Sequence, residues 1–459
     1  MTGTTPGDEP VAGAPVPSTP EPGTTGPGTT GPGTTGPGTP GRTTPVSTAP
    51  GPREDEPAEP SRSQQVMREI LSSETVVVIL SVVVALLVAA VLIAAADATV
   101  QKTAVYLFAR PSDFFSAVWD AVYGAYSALF RGAIYDPLAS TPARQIRPIT
   151  ETLTASVPLI FAGLGLGIGF RAGMFNIGAQ GQVILGATFA AFAGFTFHLA
   201  PGLHVLVATL FGIAAGAIWA GIAGVLKART GANEVIVTIM LNSIAVFLMA
   251  YLLTTDAFRR PGSSNPISPK LDPNAMFPLL FGPPFRLHLG FVLAILAAFG
   301  TWWFMERSTS GFRFRAVGLN PHAARTAGVS INSVYVWVMV LAGALAGMGG
   351  VAQVLGTEGV LQDGVAGTIG FDAITVALLG RSKPLGTVLA ALLFGALRAG
   401  SPLMQTASGT PIDIVMVVQS IIVLLIAAPP LVRAIFRLPA PGSSPARGRA
   451  GRSAKEVTA

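Results

Sequence analysis

The sequence has no cysteine, four histidines (His198, His204, His288 and His322) and little charge. Without cysteine there is no disulfide framework, no thiol nucleophile and no cysteine-held metal. Four scattered histidines are poor material for a dense metal cluster. Charged residues make up 11% of the 459, against roughly 25% in soluble globular proteins. Such a chain cannot coat a folded surface with groups that water accepts. Catalytic motifs are missing too. There is no GxxxxGK[ST], no HExxH and no GxSxG, and no lysine follows a glycine. A phosphate-cradling loop of its own is therefore excluded. No paired acidic motif lies inside an apolar run, which argues against a membrane-embedded metal enzyme.

What is present is apolar. Half the residues are hydrophobic and mean hydropathy is +0.59. The chain reads as an integral membrane protein surrounded by lipid. The net charge of +6 reads as basic residues held on cytoplasmic loops rather than as nucleic-acid binding.

Residues 1–63 form a Pro/Gly/Thr-rich tail in which GTTGP recurs at 23, 28 and 33. It lacks core-forming residues and is expected to be disordered and cytoplasmic. Its composition, and its length before the first apolar run, do not suit a signal peptide. Residues 440–459, with Arg447, Arg449, Arg452 and Lys455, read as a short basic tail. Between them, 76–438 reads as one transmembrane domain.

That domain contains ten apolar runs: 76–96, 154–170, 177–197, 203–226, 234–254, 287–305, 331–355, 366–380, 384–398 and 411–429. About 20 apolar residues cross ~30 Å of hydrocarbon. The expectation is an all-α polytopic protein of about ten transmembrane helices. With both termini in the cytoplasm, the inside loops hold eleven basic residues, and the three short outside loops hold none. The long outside loops 97–153 and 255–286 hold five and four, a departure from the rule. The short runs 366–380 and 384–398 flank Arg381 and Lys383. Re-entry from outside would bury these two at a cost on the order of 3 kcal/mol each. Within 97–153, Phe115, Val118, Trp119, Val122, Tyr126, Leu129 and Phe130 recur at helical spacing opposite Asp113, Ser116, Asp120 and Ser127. The pattern predicts an amphipathic helix on the outer membrane surface or over the mouth of the bundle.

Polar residues inside the runs are the candidates for a solute pathway. They are Asn176, Gln180 and Gln182, Glu234 at a span entrance with Asn242 deeper, and Asp372 inside 366–380. Asn176 and Gln180 are four apart and would share a helical face. Helix-to-helix hydrogen bonding is the alternative role for the amides. Asp372 needs a cavity or a partner. IGAQ at 177–180 and IGFD at 369–372 echo each other, and in the assigned topology they run in opposite directions, the pattern of an inverted repeat. In 306–330, Asn320 suits an N-cap, Pro321 the first helical position and Gly328 the C′ position. Arg313, Arg315 and Arg325 make the segment basic. A two-turn helix is unstable alone and gains sense docked in a partner's groove. An ordinary positive-inside loop is the alternative.

The stretches ETLTASVPLIFAGLGLGIGFRAGMFNIGAQGQ (151–182), TGANEVIVTIMLN (230–242), GFRFRAVGLNPHAARTAGV (311–329) and GFDAITVALLG (370–380) resemble permease subunits of bacterial ATP-binding-cassette importers. The branch is the one for simple sugars, ribose and nucleosides within the branched-chain amino-acid permease superfamily, and the likeness is closest to nucleoside permeases. Relatives commonly carry Glu where this chain has Gln180. The resemblance implies a type II importer fold with an inverted repeat and uptake of a nucleoside or a simple sugar. It also implies a separate ATPase that uses the ATP, so that this chain binds no cofactor and is not itself an enzyme. A second, different permease and an extracellular solute-binding lipoprotein complete the implied assembly in the plasma membrane. Residues 311–329 match the coupling loop, giving Arg313, Arg315, Gly318, Asn320, Pro321, Ala324, Arg325 and Gly328 as ATPase-coupling candidates. A carrier driven by an ion gradient is the rival reading; Asp372 and Glu234 are the acidic groups it would have.

Overall fold

The computed structural model describes residues 74–427 and 429–436. The tails expected at 1–63 and 440–459 lie outside the described residues. Among those described the protein is helical, with isolated bridges (Ile267 to Gln362, Leu279 to His288) in place of strands. Every apolar run becomes a helix. In chain order these are α1 (Glu74–Ala96), α2 (Ala98–Ala104), α3 (Pro111–Ala133), α4 (Pro142–Arg171) and α5 (Ala179–Thr196). There follow α6 (Leu203–Thr230), α7 (Glu234–Leu252), α8 (Gly290–Arg307), α9 (Thr309–Leu319) and α10 (Pro321–Thr326). The last are α11 (Ile331–Gln353), α12 (Ile369–Leu379), α13 (Pro384–Ser408), α14 (Asp413–Ala427) and α15 (Pro429–Ile435).

Six of the described helices are long and apolar enough to cross a membrane: α1, α4, α6, α7, α11 with its π-turn through Glu358, and α13. The other runs make shorter or more polar helices. α12 has 11 residues, about 16 Å of rise, or half the hydrocarbon thickness. Its apolar run is longer than the helix because Ala366–Thr368 belong to a turn. α13, by contrast, runs to 25 residues, past the end of the 384–398 run.

The core is built on α4, which is buried along most of its length, packed chiefly by α8, α11, α12 and α13. Helices α6 and α11 share the most extensive contact. They approach through Gly212 and Gly216 on one side and Gly343 and Gly347 on the other; a Cβ at Gly216 would stand 2.7 Å from the Gly347 Cα. In a membrane there is little hydrophobic drive between helices, so such close backbone contact supplies the attraction. A second cluster joins α1, α3, α13 and α14.

The amphipathic helix expected in the 97–153 loop exists as α3, but its faces are used differently. Small residues Ala125 and Ala128 are buried, and Gly132 meets Gly400 of α13. Val122, Tyr126 and Leu129 pack into the second cluster, and the Tyr126 hydroxyl donates to the Leu86 carbonyl of α1. Phe115, Trp119, Tyr123 and Phe130 stay exposed. The helix leans on α13 by its small face because close backbone approach needs small side chains, which the bulky aromatics deny.

Candidate functional site

The amides gather where α4 gives way to α5. The chain leaves the helix at Ala172, Gly173 takes φ +73°, and 174–177 has no regular structure before α5 starts at Ala179. Asn176 therefore does not share a helical face with Gln180. Its partner is Gln182: Asn176 Nδ2 donates to Gln182 Oε1 (3.1 Å) and Gln182 Nε2 donates to Asn176 Oδ1 (3.0 Å). Asn176 Oδ1 also accepts from the Gly178 N–H. Asn242 reaches across from α7, accepting from the Gly181 N–H (2.8 Å) and donating to the Ile177 carbonyl (2.9 Å). Gln180 accepts from the Gly370 N–H (2.8 Å) and donates to the Gly367 carbonyl (2.7 Å). All four amides are buried.

Together they satisfy the orphan backbone groups at the starts of α5 and α12, which bare hydrocarbon could not do. The two Ile-Gly motifs meet here. A methyl on Gly370 would collide with the backbone of Ala179 and Gln180. The amides are thus arranged as fasteners between broken helices.

The acidic candidates are placed apart from that cluster. Glu234 pairs with Lys227 across the α6–α7 turn (2.5 Å), and the same ammonium lies 5.1 Å from the centre of the Tyr335 ring. Asp372 accepts from the Thr368 hydroxyl (2.8 Å) and lines a cavity of about 310 Å³ with Arg398, Ser401 and Gln419 between α12, α13 and α14.

Arg398 also faces a larger hollow of about 710 Å³, together with Arg144, Arg147, Arg286, Glu151, Gln353 and Thr357. Glu151 pairs with Arg147 (3.2 Å) and Arg286 (3.6 Å). This hollow was not foreseen as a site. Its signal was the excess of basic residues in loops 97–153 and 255–286; Arg144, Arg147 and Arg286 of those loops converge on it. Beside it, the 253–289 loop is stitched to the end of α11 by Phe277 N–H to Leu355 O, Leu271 N–H to Gly359 O and Ser268 N–H to Leu361 O. His288 clasps this loop. Its Nδ1 accepts from the Gly290 N–H (3.1 Å), its ring stacks on Phe277, and its Nε2 is buried without a partner.

At the opposite end of the bundle the 308–330 segment folds as its motifs require. Asn320 Oδ1 accepts from the N–H groups of His322 and Ala323. Pro321 opens α10, and Gly328 (φ +80°) closes it. The Val329 N–H returns to the Ala324 carbonyl and the Gly328 N–H to Arg325, the two bonds of a Schellman cap. Ala324 is buried against the bundle. Gly318 sits so close to Arg171 and Ala172 that no side chain fits. Arg315 and Arg171 share Glu306 (3.3 and 2.5 Å). His322 and Arg325 remain exposed. So does Leu319, at 87%, which the motif reading passed over because apolar spacing alone does not tell a docked leucine from an exposed one.

Among the described residues no three His, Asp or Glu side chains gather as a metal site. The broken-helix amide cluster, the basic hollow and the capped two-turn helix all fall within residues 149–427 or border on them, and that span matches the family described as the permease component of the branched-chain amino acid transport system. The chain belongs to that family. This permease is 37% identical to a guanosine ABC transporter permease of Bacillus subtilis, over 69% of its own chain and 88% of the relative. It is 34% identical to a nucleoside ABC transporter permease of Lactococcus lactis, over 64% and 82%. With a glucose ABC transporter permease of Haloferax volcanii it shares 36% identity, over 61% and 75%. No solved structure matches the permease.

Proposed function

We propose that this permease is the membrane subunit of an ATP-driven importer of nucleosides, spanning the bilayer about ten times with both termini in the cytoplasm. The observation that carries the reading is α10, a two-turn helix capped at both ends, pinned by Ala324 and offering His322 and Arg325 outward beside the exposed Leu319 at the end of α9. A helix this short does not persist without packing, and the exposed apolar anchor with a basic rim suits a groove in a separate ATPase. Arg325, Pro321 and Asn320 then transmit the ATPase motion. Arg315 and Gly318 tie the segment to α4 and α8. In this reading ATP is used by the partner, a second permease completes the pore, and a solute-binding lipoprotein delivers cargo to the face bearing the basic hollow. Alternating access follows as the helix pairs rock against each other. The meeting of the α5 and α12 N-termini at the Ile-Gly motifs supports an inverted repeat.

Guanosine and nucleoside permeases stand among the relatives, and a nucleoside is a neutral polar solute that needs no fixed charge along its path. The test is uptake of radiolabelled guanosine into vesicles bearing the whole assembly. Uptake is expected to require ATP inside and to survive an ionophore that collapses ion gradients. Uptake that follows the gradient and ignores ATP supports the secondary-carrier reading instead. Preferential uptake of glucose over guanosine would redirect the substrate to sugars, in line with the archaeal relative.

A further inference from the structure

Near the Arg307 end of α8, where α8, α9 and α11 meet, lies a cavity of about 350 Å³. Two kinds of group line it. Ser310, Arg313 and Ser333 supply two hydroxyls and a guanidinium, while Phe304, Trp337 and Leu341 supply apolar wall. Nearby basic residues are engaged: Arg171 and Arg315 by Glu306, and Arg307 over the Trp302 ring at 6.0 Å. The side chains of Ser310, Arg313 and Ser333 have no hydrogen-bond or ion-pair partner among the described residues. The cavity is therefore a cluster of unused donors beside an apolar surface.

Its depth matches one leaflet. From Ile331, the first residue of α11, to Leu341 is ten residues, about 15 Å, half of the ~30 Å hydrocarbon core. Three of the five tryptophans, Trp302, Trp303 and Trp337, stand at this end and are 40%, 55% and 61% exposed, as expected at the headgroup level. Leu341 is also a wall of a second cavity, about 510 Å³, which continues along α11 past Leu345 to Met348 and is faced by Leu293 and Ala297 of α8. Donors at the membrane boundary thus lead into an apolar channel towards the midplane.

We propose that this groove is a binding site for an anionic phospholipid. The phosphate sits on Arg313 and the hydroxyls of Ser310 and Ser333, and one acyl chain lies past Trp337 to Leu341. An unpaired guanidinium favours a headgroup with net negative charge, because a zwitterionic lipid brings its own ammonium. A water-soluble anion has no use for the apolar channel, whereas the bilayer presents lipid to it at all times. The inference rests only on the bundle lying in a membrane and is independent of the solute carried.

The experiment uses the full chain, delipidated in detergent and titrated with phosphatidylglycerol or phosphatidylcholine carrying brominated acyl chains. Tryptophan quenching is read alongside native mass spectra. Phosphatidylglycerol is expected to be retained and to quench. Arg313→Gln should weaken it about fivefold, the worth of one basic residue at a lipid headgroup. Arg313→Lys should recover most of that loss, and Trp337→Phe should remove part of the quenching without releasing lipid. Arg229→Gln, a change at another exposed basic residue, should alter nothing. Equal retention of both lipids, indifference to Arg313→Gln, or displacement of the lipid by inorganic phosphate would overturn the proposal.

Discussion

Asn242 meets the needs of two backbone groups, accepting from the Gly181 N–H and donating to the Ile177 carbonyl. The first of these bonds is buried and the second part-buried, and the indole N–H of Trp219 beside Gly181 is already without a partner. Replacing Asn242 by leucine leaves a donor and an acceptor stranded, at about 1–3 kcal/mol each. The expected outcome is a protein that inserts normally but unfolds several degrees lower in a detergent thermal-shift assay. If instead the melting temperature holds and guanosine uptake falls, Asn242 faces the solute and its fastening role is wrong. The same logic covers the Asn176–Gln182 pair. Its geometry could not be read from spacing, because helical periodicity was extended through Gly173, whose positive φ ends the helix. The residue types were legible as polar groups in need of a partner; which partner each finds depends on where the chain breaks.

At the scale of elements, hydropathy placed the helices well because lipid leaves the backbone no other way to satisfy itself. It misjudged length where apolarity and helicity part. Ala366 is apolar but lies in the turn before α12. α13 continues through Gln405 and Thr406 because α3 covers one side of it, with Gly132 against Gly400. The 320–328 helix was the most legible element, since its cap residues act locally and need no tertiary information. Its test is also local. Arg325→Glu reverses the charge of an exposed, unpaired residue and should leave folding intact. It should abolish co-purification of the ATPase and uptake together. Gly328→Val forces a β-branched side chain into a left-handed position, and should fray α10 and weaken the same association. ATPase recovered at wild-type levels with both variants would show that α10 is not the contact.

For the molecule as a whole, the distribution of arginine needs explaining. Positive-inside counting puts α10 in the cytoplasm, yet Arg144, Arg147, Arg286 and Arg398 collect at the other end. The conflict eases if these four are held outside by the hollow they line. Charges in a wet depression around Glu151 escape the hydrocarbon cost that the rule reflects. The orientation then follows from the remaining loops and makes a clean prediction, because a chain without cysteine needs no background removed before single cysteines are introduced. Thr326 on α10 is exposed, and Asp256 beyond α7 has a fully exposed side chain. In intact cells an impermeant maleimide should label Asp256→Cys at once. It should reach Thr326→Cys only after the membrane is opened. Immediate labelling of Thr326→Cys in sealed cells would invert the protein, turn the basic hollow towards the cytoplasm and remove α10 from the reach of any ATPase.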